Sequence, residues 1–517
     1  MKKIFILSVI ILQSAFAFAQ SVQVTKSQKS VGDNLNSHTE IIADVYVFPD
    51  RISFFEIDST NNYATVGLRN FNKNGKTLQN KGKIVTYHLL QEKTLWNKEV
   101  NYLNNGFSVM SNNNFFSTGY KTAKLNNNDG AEVWELPNSI YYANNNVGLG
   151  YKYRAMNADF SDKLEGINLS DGKILWTKEI DKDYGWNDVK KLNDTTILIT
   201  SSGLHKINLN TGEGWSYKAS TGRNDYKGTI AANILGAALM VTTGSGFVSY
   251  GKDVVRNLVS NTLYNDKDQA VYLASRDKLV KLNMNGEKLW EKELEKSQAA
   301  KSFLFEKEDE LQMINAGYAY FNQNLIDHGV PYIAVYNKNT GEQKYMKEVA
   351  PKKDMIRCMT MNEGKSEVIL CLDEKMARYN LTDGTLIKEV KYDSKKYGKP
   401  DKFIDSIHFE QTADGFVSLE KLYPHNRILV TDKDYVLFLD NDLNITKEAK
   451  AEDYAFTFLE KNNVQLIVDK EKNIHVLNPD LKESAILRIS PDAEIVDNKI
   501  YDTNDNELII IDLNKLM

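Results

Sequence analysis

The stretch Asp171-Gly172-Lys173-Ile174-Leu175-Trp176 recurs with small changes as Thr211-Gly212-Glu213-Gly214-Trp215 and as Asn285-Gly286-Glu287-Lys288-Leu289-Trp290. In each copy a glycine-containing turn leads into a strand-like run that carries a tryptophan. Five of the six tryptophans of the chain occupy this place: Trp96, Trp134, Trp176, Trp215 and Trp290. They follow one another after 38, 42, 39 and 75 residues, and the last interval is close to two steps with one tryptophan missing. Self-similarity at a fixed period predicts an array built from one supersecondary unit.

The unit itself is predicted to contain four strands. In one copy, short apolar runs cover residues 186–192, 196–200, 204–209 and 214–218, with turn-forming residues between them. Runs rich in Val, Ile, Tyr and Phe continue along the chain with a period of two, which is typical of strands. The chain has only 8 prolines in 517 residues, which suits strands that pair on both sides.

Four-stranded repeats of this length are typical of a β-propeller. We therefore predict an all-β fold, with about ten repeats between residues 50 and 490. One large ring is the preferred arrangement, and two rings are the alternative. Residues 42–48 are expected to pair with strands of the C-terminal tail, residues 493–516, and so to join the two ends of the chain.

The first residues predict export. Met1-Lys2-Lys3 is followed by an apolar run to Leu12 and by Ala17-Phe18-Ala19, which has the form of a signal-peptide cleavage site. We expect cleavage after Ala19, a flexible leader over residues 20–40 and a propeller over residues 41–517. No later stretch is apolar for long enough to cross a membrane, and no cysteine stands near the cleavage site to carry a lipid. The expected location is the periplasm, the cell surface or the medium.

The charge balance bears on the class of partner. The chain has 64 Lys and Arg against 69 Asp and Glu, and loss of Lys2 and Lys3 takes the net charge from −5 to −7. A mildly acidic chain argues against nucleic acid as a partner, since nucleic-acid binding needs a clustered basic face.

The two cysteines, Cys358 and Cys371, flank a predicted turn over residues 363–366. If the turn has four residues, the two side chains face each other across a hairpin. An export compartment permits a disulfide there. Two free, buried thiols are the alternative.

The glycine turn followed by tryptophan, together with the apolar strands before it at residues 164–169 and 279–282, resembles the repeat of quinoprotein-like (PQQ-like) propellers. The resemblance covers most of the chain after residue 40 and is strong in about five units. It implies a propeller fold. The family includes quinone-dependent dehydrogenases and non-catalytic members, among them the scaffold propeller of the outer-membrane barrel-assembly machinery.

The chain departs from both groups of this family. The enzymes carry a disulfide between adjacent cysteines over the quinone, a Ca²⁺ site and a catalytic Asp, none of which can be placed here. The scaffold carries a lipid-anchor cysteine, which is missing from this sequence near residue 19. The non-catalytic branch is the more similar one. Function does not follow from fold alone.

No catalytic, cofactor-binding or metal-binding motif is recognisable in the sequence. It has no His-Glu-x-x-His, phosphate loop or Gly-x-Ser-x-Gly, and its 7 histidines are scattered without metal-ligand spacing. We therefore expect a protein without enzymatic activity and without a bound cofactor.

Three segments are interpreted as insertions between the second and third strands of their units: residues 153–163, 317–330 and 421–427. In a propeller such connections lie on one face, and loops on a rigid scaffold often carry recognition. The hypothesis places a partner or glycan surface on these residues: Arg154, Phe160, Tyr318, Tyr320, Phe321, His328, Tyr423 and His425. Loops that only pack over the channel or extend the strands are the alternative.

These observations favour an exported, monomeric, non-catalytic propeller that binds an envelope protein or a polysaccharide. A pyrroloquinoline-quinone-dependent oxidoreductase is the first alternative. A propeller that acts on polysaccharides is the second.

Overall fold

The computed structural model describes residues 22–516 apart from 104, 111–113, 155–158, 181–185, 187, 202, 220–260, 276–277, 296–297, 299, 322–323, 353, 405–407 and 413–414. The predicted signal peptide lies outside the described residues. Among those described, no helix has the length and apolar character needed to cross a membrane.

Antiparallel sheets make up nearly all of the described chain. Two strands precede the repeats: β1 (Thr25–Asn34) and β2 (Thr39–Val47). Unit 1 contains β3 (Ile52–Asp58), β4 (Tyr63–Leu68), β5 (Lys81–His88) and β6 (Lys93–Asn101). Unit 2 contains β7 (Asn105–Met110), β8 (Asn114–Gly119), β9 (Thr122–Leu125) and β10 (Glu132–Leu136). Unit 3 contains β11 (Asn138–Asn144), β12 (Val147–Arg154), β13 (Asp159–Asn168) and β14 (Ile174–Glu179).

The next four units have the same form. Unit 4 contains β15 (Asp188–Lys191), β16 (Thr196–Thr200), β17 (Gly203–Asn208) and β18 (Ser216–Lys218). Unit 5 contains β19 (Asn261–Asn265), β20 (Ala270–Ala274), β21 (Lys278–Asn283) and β22 (Lys288–Glu293). Unit 6 contains β23 (Ser302–Lys307), β24 (Glu310–Phe321), β25 (Asn324–Asn337) and β26 (Gln343–Glu348). Unit 7 contains β27 (Cys358–Met361), β28 (Glu367–Cys371), β29 (Lys375–Asn380) and β30 (Leu386–Lys391).

Unit 8 carries an insertion after its first strand. Helix α1 (Ser394–Tyr397) leads into β31 (Pro400–Phe403), and the inserted part contains β32 (His408–Thr412), β33 (Gly415–Ser418) and α2 (Leu419–Leu422). The unit is completed by β34 (Arg427–Thr431), β35 (Tyr435–Leu439) and β36 (Ile445–Lys450). The inserted hairpin pairs through β32 with the first strand of the following unit. The inserted hairpin therefore extends the sheet of unit 9 beyond its first strand.

The last two units lie in one larger sheet. After a short 3₁₀ helix, Ala451–Asp453, unit 9 contains β37 (Ala455–Lys461), β38 (Val464–Val468), β39 (Ile474–Leu477) and β40 (Glu483–Leu487). The C-terminal strands are β41 (Glu494–Val496), β42 (Lys499–Asn504) and β43 (Glu507–Asp512), followed by a 3₁₀ helix at Leu513–Lys515. Strand β2 pairs with β43 and supplies the fourth strand of unit 10. The predicted propeller of about ten four-stranded repeats is confirmed.

Both ends of the chain meet, as predicted. Besides the pairing of β2 with β43, β1 pairs with β2 on one side and with β40 on the other. The apolar side chains of Tyr46, Ile52 and Leu508 belong to one cluster that packs unit 10 against unit 1. The expected flexible leader over residues 20–40 is therefore wrong for most of its length. Thr25–Asn34 is a strand because the edges of units 9 and 10 offer its backbone hydrogen-bond partners.

Apolar side chains of the middle strands fill the space between successive units. Strand β20 is buried at every residue, and its neighbours are drawn from unit 4 on one side and unit 6 on the other. Because both faces of these middle strands are buried, their sequences are continuous apolar runs and do not alternate between apolar and polar residues. Units 8 and 9 differ, because Leu419 of the insertion packs on unit 8 while Phe409 and Phe416 pack on unit 9.

The repeated turn fixes the spacing between units. In unit 4 the side-chain oxygen of Asn208 accepts hydrogen bonds from the backbone N–H groups of Asn210 and Thr211. Gly212 closes this turn at a φ of 73°, in the left-handed region that glycine adopts without strain. The indole of Trp176, on the outer strand of unit 3, lies against Gly212 and donates to the carbonyl oxygen of Leu209 at 2.7 Å.

Each repeated tryptophan makes this contact with the following unit. The indole nitrogens donate to carbonyl oxygens of the next turn in five pairs: Trp96 with Asn127, Trp134 with Leu169, Trp176 with Leu209, Trp215 with Met284, and Trp290 with Lys338. These five indoles therefore each join one unit to the next.

The long interval after Trp215 has a different cause from the one expected. Trp215 packs on Gly286 of unit 5 directly, so no unit stands between these two sheets. The extra residues of that interval fall largely in residues 220–260, between β18 and β19, outside the described residues. The interval therefore reflects an insertion between units and not a skipped repeat.

Cys358 and Cys371 lie directly opposite each other on β27 and β28, as the turn predicted. Both are free thiols in this structure, with Cys371 buried and Cys358 half-buried. The structure thus corresponds to the second of the two alternatives.

Candidate functional site

The strands of each unit are antiparallel, so the second-to-third and fourth-to-first connections emerge at the same end of the unit. We call this side of the molecule the hairpin face. The first-to-second and third-to-fourth connections emerge on the opposite face. This distinction decides which of the predicted binding residues can act together.

The longest projection on the hairpin face belongs to unit 6. Strands β24 and β25 have 12 and 14 residues, whereas the outer strands β23 and β26 have 6 each. The surplus forms a ladder that runs from the pair Tyr318 and Asp327 to the pair Phe321 and Asn324. Insertion of these residues into the second-to-third connection is therefore confirmed.

The base of this hairpin is fixed to its own unit and to unit 7. The backbone N–H of Lys301 donates to the carbonyl oxygen of Tyr318 at 2.7 Å, and Ile356 donates to Ala316 at 2.9 Å. Gly317 has a φ of 75°, and it lies where the register of the ladder shifts. The ring of Tyr318 packs against the cluster between units 6 and 7. This tyrosine therefore has a packing role at the base.

Tyr320, Phe321 and His328 lie further along the same hairpin. The backbone register places Tyr320 opposite Leu325 and Phe321 opposite Asn324. His328 lies in β25, one residue after Asp327. Their side chains fall outside the described residues.

The insertion of unit 3 is built around aromatic rings. Phe160 is buried and contacts Tyr153, Tyr141 and Tyr120 at ring-centroid distances of 5.2, 6.2 and 6.5 Å. The guanidinium of Arg154 donates to the carbonyl oxygen of Phe160 at 2.9 Å, and Arg154 is an exposed residue. The structure thus brings Arg154 and Phe160 together on the hairpin face. It places Phe160 in the interior of the insertion and not on its surface.

Tyr120 extends this aromatic group to the solvent. It lies in the turn between β8 and β9, the second-to-third connection of unit 2, and it is 45% exposed. Its ring stacks on Tyr153 with centroids 4.4 Å apart. Tyr120 is not among the predicted binding residues, because its turn has no extra residues. The aromatic residue next to Gly119 was the available signal.

The third predicted insertion lies on the other side of its unit. Residues 421–427 come between the first strand β31 and the second strand β34 of unit 8. The prediction that this segment joins second and third strands is therefore wrong. Strands β32 and β33 precede this segment but belong to the insertion that pairs with unit 9, so they are not the first two strands of unit 8. His425 lies here in an exposed turn.

Tyr423 is occupied within the molecule. Its hydroxyl donates to Glu410 of β32 at 3.2 Å and accepts from the ammonium group of Lys447 at 2.5 Å. Its ring packs on Phe438 with centroids 4.5 Å apart, and the Lys447 nitrogen lies 5.8 Å from the ring centre of Tyr454. This cluster fastens the insertion to units 8 and 9. Tyr423 and His425 do not share a surface with the unit 3 and unit 6 hairpins.

The described part of the chain contains no group of three or more His, Cys, Asp or Glu side chains arranged to hold a metal ion. One buried ionic group stands out. His475 is hydrogen-bonded through Nδ1 to Glu483 at 2.5 Å and through Nε2 to Asp469 at 2.8 Å. Burial opposes the charged imidazolium, but the two carboxylates outweigh it and raise the pKa of His475 above its ordinary value. Phe416 covers the imidazole at 4.7 Å between ring centroids, so the group is enclosed.

Comparison with known proteins gives similarities of structure only. No protein-family model matches the chain, and no curated sequence matches it. The chain is similar to BamB from Moraxella catarrhalis, with 14% identity over 77% of this chain and 97% of that one, at a TM-score of 0.32. It is similar to the C-terminal WD40 domain of Sif2, with 10% identity over 73% and 92% of the two chains, at a TM-score of 0.30. At these identities and TM-scores no activity or partner is assigned, and the propeller fold rests on the sheets described above.

Proposed function

We propose that this chain is an exported, monomeric, non-catalytic propeller that binds an envelope protein or a polysaccharide through its hairpin face. The observation that carries the proposal is the unit 6 hairpin, whose ladder continues to Phe321 and Asn324, well beyond the outer strands of its sheet. The residues of a hairpin that extend beyond their own sheet lose packing contacts with the neighbouring units. Contact with another molecule would compensate for that loss.

The chemistry of the described face supports binding. Tyr120 and Tyr153 form a stacked pair of rings, and Arg154, which follows Tyr153 in the chain, is an exposed residue. Tyrosine and arginine are the residue types that contribute most to binding energy at protein interfaces. Stacked tyrosines also offer a flat surface and hydroxyl groups to a sugar ring.

The test is capture from the native envelope. Tagged wild-type protein and a variant in which Asn-Gly replaces residues 319–326 are incubated with envelope extract, and the bound material is identified by mass spectrometry and sugar analysis. The proposal expects one component that the wild type retains and the shortened hairpin loses. A Tyr120→Ala variant should reduce retention of the same component. Equal capture by all three proteins would reject the hairpin face as the binding surface.

A further inference from the structure

Unit 1 carries another long connection on the hairpin face. Residues 69–80 join its second strand, β4, to its third strand, β5, and we call them the unit 1 loop. A hairpin connection typically needs only about 2–5 residues, so this loop is longer than its strands require. Residues 71–77 are all exposed. The loop therefore adds a surface to the hairpin face that the unit 3 and unit 6 hairpins do not provide.

The base of the unit 1 loop is fixed by backbone hydrogen bonds. The N–H of Arg69 donates to the carbonyl oxygen of Arg51 at 2.9 Å, in the connection that enters unit 1 from unit 10. The N–H of Gln79 donates to the carbonyl oxygen of Asn70 at 2.8 Å and so closes the base. Arg51 itself forms an ion pair with Asp505 of unit 10 at 2.8 Å. The loop thus starts from a rigid part of the propeller.

The tip of the loop is ordered by asparagine side chains. The side-chain oxygen of Asn74 accepts from the backbone N–H groups of Lys76 and Thr77 at 2.9 and 3.3 Å. The side-chain amide of Asn72 donates to the hydroxyl of Thr77 at 3.0 Å and to the carbonyl oxygen of Leu78 at 3.3 Å. These amide groups are engaged inside the loop, so they are poorly placed to bind the hydroxyl groups of a sugar.

The loop and the strand that follows it are basic. Residues 69–91 contain five Lys and Arg and no Asp or Glu, although the whole chain has a net charge of −5. Lys83 forms an ion pair with Glu99 at 3.3 Å. Three further lysines are exposed, and within the described part of the chain no carboxylate lies at ion-pair distance from them: Lys73, Lys76 and Lys81. Such a concentration of positive charge attracts an anionic partner.

Arg69 is held in a fixed orientation at the edge of this basic region. Its Nε donates to the carbonyl oxygen of Gln79 at 2.8 Å, and its Cζ lies 4.6 Å from the ring centre of Tyr102. Gly82 leaves room for this stack, since a Cβ there would stand 2.9 Å from the Cγ of Arg69. The terminal nitrogen atoms of Arg69 make no hydrogen bond within the residues that the structure describes. A planar guanidinium held in this way can bind a carboxylate through two parallel hydrogen bonds.

Exposed apolar side chains accompany these cations. Phe71 is 41% exposed, and the guanidinium of Arg51 lies 4.8 Å from its ring centre. Leu103 is 67% exposed. Phe71 comes two residues after Arg69 in the chain, and Leu103 follows Tyr102, on which Arg69 stacks. A ligand that reaches Arg69 therefore meets apolar as well as cationic side chains, which suits a peptide better than a polysaccharide.

We propose that the unit 1 loop binds an acidic peptide segment of a protein partner. The guanidinium of Arg69 pairs with one carboxylate of this segment, and the exposed lysines attract the others. Phe71 contacts an apolar side chain of the same segment. The inference rests on the proposed function, because it adds the unit 1 loop to the binding surface of the hairpin face and selects a protein as the partner.

Fluorescence anisotropy on the full chain tests the proposal with three labelled probes. They are a decapeptide of eight glutamates and two leucines, the same decapeptide with glutamine in place of glutamate, and a galacturonate oligomer with eight carboxylates. We expect saturable binding of the glutamate peptide and affinities about tenfold weaker, or less, for the other two probes. Absence of saturable binding of the glutamate peptide would overturn the proposal. So would equal affinity for the glutamine peptide or the galacturonate oligomer.

Matched variants locate the binding. Lys73→Gln combined with Lys76→Gln should weaken binding of the glutamate peptide about tenfold. Lys267→Gln combined with Lys482→Gln removes the same charge from exposed turns on the opposite face and should leave the affinity unchanged. Arg69→Lys keeps the charge but loses the two parallel hydrogen bonds, and it should weaken binding about fivefold. Thermal unfolding shows whether each variant is folded. Equal affinities of the two double variants, or wild-type affinity in folded Arg69→Lys, would overturn the proposal.

Capture from the native envelope separates this inference from the proposed function. A protein component that is lost both by the shortened unit 6 hairpin and by the variant Lys73→Gln with Lys76→Gln supports the two together. A component that only the shortened hairpin loses would overturn the inference and leave the proposed function intact. Capture that survives both changes would reject the proposed function and the inference.

Discussion

Trp290 on the outer strand of unit 5 lies directly on Gly341 in the turn of unit 6, and its indole N–H donates to the carbonyl oxygen of Lys338 at 3.0 Å. A Cβ added to Gly341 would stand 2.7 Å from the indole ring. The indole ring of Trp290 therefore fits against the backbone of Gly341 only because this position has no side chain. The same relationship holds at five successive interfaces of the propeller.

This contact predicts a large and local stability effect. Trp290→Ala should lower the free energy of unfolding by on the order of 3 kcal/mol, because a buried aromatic ring and one hydrogen bond are lost together. Chemical denaturation followed by circular dichroism measures the change. Leu289→Ala, on the same strand but 52% exposed, is the control and should alter stability little. Similar losses for the two variants would contradict this role of Trp290.

The buried histidine predicts a dependence of stability on pH. The folded-state pKa of His475 is raised, so its contribution is complete below its unfolded value near 6.5 and is lost as the pH rises through the folded value. The difference in urea midpoint between wild type and His475→Gln should therefore shrink from about pH 6 to pH 9. His425→Gln, in an exposed turn, is the control and should alter the urea midpoint little. A pH-independent difference for His475→Gln would refute the charged imidazolium.

The thiols predict an order of chemical modification. Burial raises the pKa of the Cys371 thiol, and the neighbouring Cys358 thiol raises it further, so little thiolate is present there. In the folded, reduced protein, iodoacetamide should label Cys358 first and reach Cys371 only after unfolding. Peptide mass spectrometry reads both sites. Equal labelling rates under native conditions would show that the β27–β28 pair opens more readily than its burial implies.

The insertion of unit 8 predicts a role for Lys447. Its ammonium nitrogen lies 4.6 Å from the ring centre of Tyr423 and 5.0 Å from that of Phe438. Lys447→Met keeps the aliphatic stem and removes the charge, and it should cost about 1 kcal/mol. Lys470→Met on an exposed turn should leave stability unchanged. Limited proteolysis within residues 404–427 should be faster in Lys447→Met than in the wild type or Lys470→Met. Unaltered cleavage would argue that Lys447 does not hold the insertion in place.

Activity is the discriminating measurement between the proposed function and its enzymatic rival. Addition of pyrroloquinoline quinone and Ca²⁺ should give no dye-linked oxidation of alcohols or sugars by the folded protein. A stoichiometric quinone complex with turnover would replace the binding function by an oxidoreductase.

Much of the fold can be predicted from the sequence, because the same glycine turn and the same packing tryptophan recur at five successive interfaces between units. Gly212 with Trp176 and Gly341 with Trp290 are short-range signals of a contact between units. The strands of unit 4 were located to within about two residues for the same reason. The N-terminal strand β1 was missed because its partners, β2 and β40, are set by tertiary structure, and its polar residues have no strand signal of their own.

Only part of the candidate site could be predicted from the sequence. The unit 3 and unit 6 hairpins were found from their extra length, but Tyr120 lies in a connection of ordinary length. Tyr423 was predicted to contact a partner, because the sequence does not show that its hydroxyl is hydrogen-bonded to Glu410 and Lys447.

Binding through the hairpin face is tested by the affinity of the captured component for matched variants. The variant with Asn-Gly in place of residues 319–326 removes the projecting part of the unit 6 hairpin. Asp480→Ala alters an exposed third-to-fourth turn on the opposite face and serves as the control. We expect a loss of affinity of about 100-fold or more for the shortened hairpin and none for Asp480→Ala. Wild-type affinity in the shortened variant, with its fold intact, would show that the unit 6 hairpin does not bind the component.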